Sequence, residues 1–597
     1  MGRTKRRLLW GSTTSVSVFH HSAARSKWNS RCRMRKDGHL DKLMGVKMST
    51  TKVHPLPNLT PENEFFWKSG ADGKLRFQRD NACGALIHPP QPICPYCKST
   101  DLGVAEVSGN ATVAAFTVNV QQWLPTMAPP YVIAVVTIDD DPRVRFTTNI
   151  INCELQDLKI GQKVKVTFHN QEEIWLPLFE PTGETKLGAI PESDKSIYKA
   201  RPMATSQKFE DRVIISGIGQ SEVGRRLMGN PLLLTIDACM KAIDDAGLKL
   251  EDIDGLATYP GGMMSGMGMS EGGVTAVENA LRIRPTWHSG SSETPGQGGA
   301  IINAMLAVAS GLCKHVLCFR TVWEARHAEL MKQGYSRPAM GRIDGDMQWR
   351  IPFGASSASN WIAMAATQYM HKYGATRETL GWIALNARNN AMINPDAIYR
   401  DPLTMDDYLS ARMITTPFGL YDCDVPCDGA VAVIVSAAET AGDLKCTPVR
   451  VEAVGTQITE VVSWDQGVLD HEPMLAGPAA HLWTRTDLKQ KDIDVALLYD
   501  GFSFNCLSWL EALGFCGHGE AKDFLAGGKT IARDGVLPLN PHGGQISAGR
   551  THGFGFVREA VIQLRGEGGN RQIKNAKAAV ISTGGGVPSG TMILRKD

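Results

Sequence analysis

GLKLEDIDGLATY, residues 247–259, returns as DLKQKDIDVALLY at residues 487–499. At this constant offset of 240, six of the twelve positions from Leu248 onward are identical: Leu248/Leu488, Lys249/Lys489, Asp252/Asp492, Ile253/Ile493, Asp254/Asp494 and Tyr259/Tyr499. Each copy reads as a helix end, an acidic turn and a short apolar strand. A period this long marks a duplicated half-domain rather than a solenoid. Upstream of the first copy, VIISGIG (213–219) reads as a strand and PLLLTIDACMKAIDDA (231–246) as an amphipathic helix closed by Gly247. The second half begins near Pro448, where VRVEAVGTQ stands in the place of VIISGIGQ. Strands alternating with helices predict a parallel sheet, so residues 209–446 and 447–597 are expected as two βαβ halves of one body.

The segment before them belongs to another class. VAEVSGNATVAAFTVNV (104–120), YVIAVVTI (131–138), RVRFTTNII (143–151) and KVKVTFH (163–169) alternate as β-strands and predict a small barrel over 104–182. A short helix over 60–76 is anchored by Phe65, Phe66 and Trp67, and the polar, Gly- and Pro-containing stretch 183–208 is a linker. Within 51–103 the spacing Cys83-x10-Cys94-x2-Cys97 gives one complete zinc knuckle and one incomplete one. Asp80 stands where the missing cysteine belongs, and His88 is a second candidate ligand. The alternatives are a structural zinc ion (Zn2+) or a degenerate ribbon held by packing alone, and neither is catalytic.

Lys+Arg is 63 and Asp+Glu 61, a formal charge of +2, but residues 1–36 carry ten basic residues and no acid. The rest is therefore at −8, which excludes a basic nucleic-acid-binding face. Residues 1–50 are expected to be a disordered leader; a transit peptide would place the protein in the mitochondrion, otherwise in the cytoplasm. No apolar run is long enough for a membrane span. Thirteen cysteines are too sparse for a disulfide scaffold.

Residues 60–182, through FQRDNACGALIHPPQPICPYC (77–97), PPYVIAVVTID (129–139), LKIGQKVKV (158–166) and LPLFEP (176–181), resemble the OB-fold family with an N-terminal zinc ribbon that accompanies thiolase-like enzymes. Residues 209–597, through YDGFSFNCLSWLEALGFCGHGE (499–520), LPLNPHGGQISAGRTHG (537–553), EAVIQLRGEGGNRQI (559–573) and STGGGVPSG (582–590), resemble the thiolase superfamily of the sterol-carrier and lipid-transfer type. The resemblance implies a five-layered α/β thiolase fold, a homodimer, and a coenzyme A thioester as substrate.

The departures from that pattern are chemical. Thiolases place a nucleophilic cysteine before the helix seen here as AIINAMLAVASGL (300–312); the corresponding position falls near Thr294, and no cysteine lies between Cys239 and Cys313. The Gly-His-Pro triplet reads Gly549-Arg550-Thr551, with His552 after it, and the second cysteine position is Ser582. Lost nucleophiles with retained glycine turns point to a thioester pocket without covalent catalysis. The resemblance extends to aldolases that shorten steroid side chains, whose loop reads Tyr-x-His-Gly where this chain has Arg550-Thr551-His552-Gly553. A retro-aldol lyase is the expected activity, with an acyltransferase or an acyl-CoA carrier as alternatives and a hydratase as an expected partner.

His552 is the expected base, with Arg550, Asp500 and Tyr499 as further catalytic candidates. An ion pair between Arg550 and Asp500 is the structural alternative. Ser292, Thr294, Gly585 and Gly586 are expected around the thioester oxygen. The loose basic stretch Arg320, Arg326, Arg337, Arg342 and Arg350 is a candidate for the coenzyme A pyrophosphate.

Overall fold

The computed structural model describes residues 53–190, 201–262, 267–335, 341–457, 478–584 and 589–596. The leader expected at 1–50 and the middle of the linker lie outside these residues. The N-terminal module opens with a helix, Glu64–Trp67, and a 3-10 turn, Ser69–Asp72, shorter than the helix expected over 60–76. Gly73 turns the chain with φ +76, and a side chain at Gly70 would meet the Phe168 ring at 2.3 Å. The chain is thus folded back against the barrel before a second helical turn can form.

Strand Leu75–Asp80 lies between Leu86–Ile87 and Leu102–Val107 in a three-stranded antiparallel sheet, the ribbon. Beyond it, Asn110–Asn119 pairs with Tyr131–Ile138 on one side and Lys163–Gln171 on the other, which closes the barrel. Ile174–Pro181 links Lys163–Gln171 to Asp141–Ile150. The barrel is not an independent bead. A hairpin from the first α/β half, Met413–Thr415 and Phe418–Gly419, extends its sheet with Thr415 opposite Asn119. Buried side chains add to this seam: Asn360 Nδ2 donates to Asn119 Oδ1 at 2.9 Å, and Asn149 Nδ2 donates to the Phe353 carbonyl at 2.8 Å.

The two halves share one nine-stranded sheet. Its order is Trp287–Gly290, Gly255–Thr258, His315–Trp323, Asp428–Ala437, Val213–Gln220, Val449–Gln457, Ser589–Arg595, Ala578–Ser582 and Val495–Leu497. Counted outward from the central pair, Val213–Gln220 matches Val449–Gln457, and each following strand has its counterpart out to Gly255–Thr258 and Val495–Leu497. The fifth strand of the first half, Trp287–Gly290, is reduced in the second to a single parallel bridge between Ala496 and Leu539.

The repeated residues do the same work twice. Lys249 N–H donates to Asp252 at 2.7 Å, and Lys489 N–H to Asp492 at 2.8 Å, each capping a 3-10 turn. Asp254 accepts from the amides of Lys314 and His315, and Asp494 from those of Lys577 and Ala578. These identities therefore fix where the next strand starts.

The sheet is mixed, not parallel as the alternation predicts. Pairing is parallel at Gly255–Thr258 with both its neighbours and at Val495–Leu497 with Ala578–Ser582, and antiparallel through the centre. After Trp323 the chain makes a long excursion and re-enters as Asp428–Ala437 in the opposite sense, a direction that strand periodicity does not encode. One core spans both halves and contains helices Gly299–Ala309 and Phe554–Arg565 in equivalent places along the two repeats. No helix of the described residues is long and apolar enough to cross a membrane.

Candidate active site

The site lies where these two buried helices begin. The loop before the first helix is pressed onto Thr583: Gln297 N–H donates to the Thr583 carbonyl at 2.8 Å. A Cβ at Gly296 would stand 2.1 Å from that carbonyl oxygen, and one at Gly298 2.6 Å from the Thr583 methyl. Gly553, which opens the second helix, approaches the same residue. Only glycine permits backbones this close.

Thr294 is buried in this loop, and its hydroxyl donates to the Gly296 carbonyl at 2.8 Å. Ser292 is exposed, unlike Thr294, so burial does not bring it to the site. Gly585 and Gly586 lie outside the described residues; Gly584 before them accepts from Trp509 Nε1 at 2.7 Å.

His552 is buried with φ +42, a conformation an L-residue adopts only when its surroundings impose it. Its Nδ1 lies 2.5 Å from Nη2 of Arg320. A guanidinium can only donate, so Nδ1 accepts and the ring proton sits on Nε2. Burial pushes the imidazole well below its ordinary range, and Arg320 and Arg550 push it further the same way. The ring is thus neutral, with Nδ1 engaged by Arg320.

Arg550 does not pair with Asp500. Its Nε donates to Glu324 at 2.8 Å and its Nη1 to Asp424 at 3.0 Å, with a further short bond to Glu324. Burial works against the charged guanidinium, but the two carboxylates more than offset it. Burial, assisted by Glu324, pushes Asp424 up to about 7 in spite of Arg550.

Asp500 is fully buried at the head of a π-helical turn, Gly544–Ala548, and its Oδ1 accepts from the Gln545 amide at 2.8 Å. A Cβ at Gly544 would sit 1.9 Å from Oδ2, so glycine is required there. Burial pushes this carboxyl up to about 7. Tyr499 is buried beside it, its hydroxyl 3.5 Å from Gln297 Nε2 and its amide bonded to Ser582 Oγ at 2.9 Å. Burial holds the phenol far above its ordinary range. Asp500 Oδ2 and Gln297 Oε1 have no hydrogen-bond partner among the described residues. Buried polar atoms left open in one place mark a ligand site.

Sequence reasoning missed Glu324, Asp424, Gln297 and Gln545 as site residues, and expected Arg320 only as part of a basic stretch for the coenzyme A pyrophosphate. The run Asp422-Cys423-Asp424 and Glu324 at the end of strand His315–Trp323 carried a usable signal, since acids at strand ends face the functional edge. The expected basic stretch is dispersed: Arg320 is in the site, Arg342 pairs with Glu172 and Glu173, and Arg350 packs over Trp361, while Arg337 lies outside the described residues. His542 is a packed loop residue, its ring 5.5 Å from that of Phe556 and its pKa pushed down to about 4 by burial.

In the ribbon, the ligand atoms of Asp80, Cys83, Cys94 and Cys97 all lie within 4.8 Å of one another. Three thiols and a carboxylate at this spacing fit a tetrahedral zinc ion. His88 is not among them: it is locked in an aromatic cluster with Phe66, Phe77, Phe146 and Trp349. A cavity of about 380 Å³ opens between ribbon, barrel and residues 345–350; His88 and Arg350 line it, while His552, Arg550, Asp500 and Tyr499 do not.

A duplicated α/β body with threonine and serine where thiolases carry their cysteines, joined to a ribbon and barrel module, defines a protein of thiolase fold. The family comparisons agree. Residues 67–103 match the "ChsH2, rubredoxin-like zinc ribbon domain", 104–169 the "ChsH2, C-terminal OB-fold domain" and 474–596 the "Thiolase C-terminal domain-like" family. The chain is 33% identical over 389 residues to a steroid side-chain-cleaving aldolase of Thermomonospora curvata, covering 64% of this chain and 97% of that one. It is 34% identical over 390 residues to the 17-hydroxy-3-oxo-4-pregnene-20-carboxyl-CoA lyase of Mycobacterium tuberculosis, covering 64% and 98%. A solved Ltp2-ChsH2(DUF35) aldolase aligns with TM-score 0.56 and 31% identity over 65% of this chain and 98% of its own. The chain belongs to the thiolase-like aldolase family: it is a carbon–carbon lyase fused to its ribbon and OB-fold module.

Proposed function

We propose that the protein cleaves the Cα–Cβ bond of a β-hydroxyacyl-coenzyme A thioester whose acyl group is a steroid or lipid side chain. The observation that carries this reading is the state of the nucleophile position. Thr294 is buried with its hydroxyl committed to Gly296, while Asp500 Oδ2 and Oε1 of Gln297, next to Tyr499, are uncommitted. Such a site can move protons on a bound substrate without forming an acyl-enzyme.

Asp500, its carboxyl pushed up to about 7, takes the β-hydroxyl proton. The oxygen pair closes a carbonyl at Cβ, the Cα–Cβ bond breaks, and its electrons pass to the thioester as an enolate. His552 Nε2–H donates to the enolate oxygen. Tyr499 delivers its proton to Cα and recovers one from Asp500, so the cycle ends with a carbonyl product, a shortened acyl-CoA and no net proton change. Arg550 stands beside Tyr499 as a fixed positive charge that eases the phenolate.

Asp80, Cys83, Cys94 and Cys97 would hold a structural zinc, which cross-links the ribbon. Assembly as a homodimer and supply of substrate by a hydratase fit this chemistry, because hydration of an α,β-unsaturated thioester yields the β-hydroxyl. The test is a panel of β-hydroxyacyl-CoA thioesters with identification of both products. A steroid or lipid side-chain thioester should give a carbonyl compound and an acyl-CoA in equal amounts; failure of every member while acyl-CoA is merely bound would replace the lyase with a carrier.

A further inference from the structure

The geometry points to Arg320 as a positioning residue that holds His552 in its neutral Nε2–H form, so that the histidine serves the lyase reaction as an oxyanion donor. This rests on the lyase reading above and deepens it.

Arg320 sits near the end of strand His315–Trp323 with 1% of its surface exposed, and it is a rare place for a cation. Its guanidinium is held from behind. Nη1 donates to the Tyr259 carbonyl at 2.9 Å and makes a further short bond to the Met269 carbonyl. Nη2 is thereby aimed at His552 Nδ1, 2.5 Å away. The strand thus fixes the arginine, and the arginine fixes the ring. With Nδ1 occupied as an acceptor, only one neutral tautomer is left, and it presents Nε2–H.

The groups facing the ring agree. Arg320 and Arg550 flank it, and the loop of residues 294–298 and Thr583 brought close through Gly553 carry no cationic or basic side chain. Glu271 and Glu324 interact with Arg320 and favour its charge. A proton on Nδ1 would stand directly against a guanidinium. His552 therefore stays a donor across the neutral range, while proton abstraction falls to another group.

A purely structural arginine, tying down the loop at Tyr259 and Met269, would make different predictions. The test is a double-variant cycle on turnover of the aldol substrate, read beside the 15N spectrum of histidine-labelled protein. His552→Leu should cut kcat by about 100-fold or more, the loss seen when one oxyanion donor is removed. His552→Gln should retain activity within about tenfold of the wild type, because an amide can accept from Arg320 and donate to the enolate. Arg320→Gln should cut kcat at little change in KM, Arg320→Lys should recover most of it, and Arg320→Gln in the His552→Leu background should cost less than about threefold more. Independent losses that multiply, or a His552→Gln variant as inactive as His552→Leu, would overturn the assignment.

The spectrum of the labelled protein reports on the ring independently of turnover. The signals lost in His552→Gln should be those of a neutral Nε2–H ring between pH 6 and 8. An imidazolium or an Nδ1–H ring there would refute the inference even if the lyase activity stands; an Nε2–H ring without aldol turnover would instead refute the lyase reading alone.

Discussion

Replacing Arg550 with methionine removes the one cation between Glu324 and Asp424. Both acids stay buried, their side chains 12% and 8% exposed. Breaking such a pair from one side leaves uncompensated charge and costs about 3–5 kcal/mol. The wild-type site already shows the scale: holding Asp424 at about 7 instead of its ordinary value of 3.8 corresponds to about 4 kcal/mol against the ionised form. Without Arg550 the Asp424 carboxyl must rise further. A carboxyl whose folded pKa lies above its unfolded value binds more protons in the native state, so stability is present below the unfolded value and falls as pH rises through the folded one. Arg550→Met should therefore unfold at a lower temperature than the wild type at pH 8 and recover much of the difference at pH 5.5. Adding Asp424→Asn should restore stability at pH 8. Thermal unfolding followed by differential scanning fluorimetry at the two pH values measures this directly. A variant with the wild-type midpoint at pH 8, or a deficit that does not shrink at pH 5.5, would refute the buried-triad reasoning.

Three further outcomes follow from the same geometry. Asp500→Asn should lower kcat by at least about 100-fold, and the acid limb of the wild-type kcat/KM profile, where activity falls as pH drops through about 7, should be missing from the residual activity; a retained limb would reassign the base. Gly544→Ala adds a Cβ 1.9 Å from Asp500 Oδ2 at φ +61, so it should lose activity to a similar degree, seen as a fall in kcat in steady-state assays. Elemental analysis should find one zinc per chain, and Cys94→Ser should lose it together with several degrees of thermal midpoint; a metal-free wild-type protein of unchanged stability would leave the ribbon held by packing alone.

Much of this architecture is legible because short segments carry it. The repeat at 247–259 and 487–499 exposes the duplication, since Asp254 and Asp494 each set the start of a neighbouring strand and so cannot drift freely without cost. The β-branched runs at 131–138 and 163–169 do form barrel strands, although the first is buried along its whole length and does not alternate. Strand direction in the centre of the sheet is not legible, because it depends on how the chain returns after the excursion that follows Trp323.

The site is half legible for the same reason. Asp500, Tyr499, Arg550 and His552 sit in loops whose glycine pattern marks them. Arg320 and Asp424 meet them only through the fold, across 232 residues in the case of Arg320 and 126 in that of Asp424. Without those partners the sequence suggests that His552 is a base and that Arg550 binds Asp500. With them, the His552 ring is engaged by Arg320 at Nδ1, Arg550 is committed to two acids, and the carboxyl of Asp500 is the base proposed above.

All of these roles presuppose carbon–carbon cleavage without a covalent intermediate. The most direct test is to incubate the protein with a steroid or lipid side-chain β-hydroxyacyl-CoA and analyse both protein and products by mass spectrometry in the same quench. Non-covalent cleavage should yield a carbonyl product and a shortened acyl-CoA in equal amounts, with the protein at its unmodified mass throughout. An acyl group attached to the protein, at Thr294 or elsewhere, would rule it out.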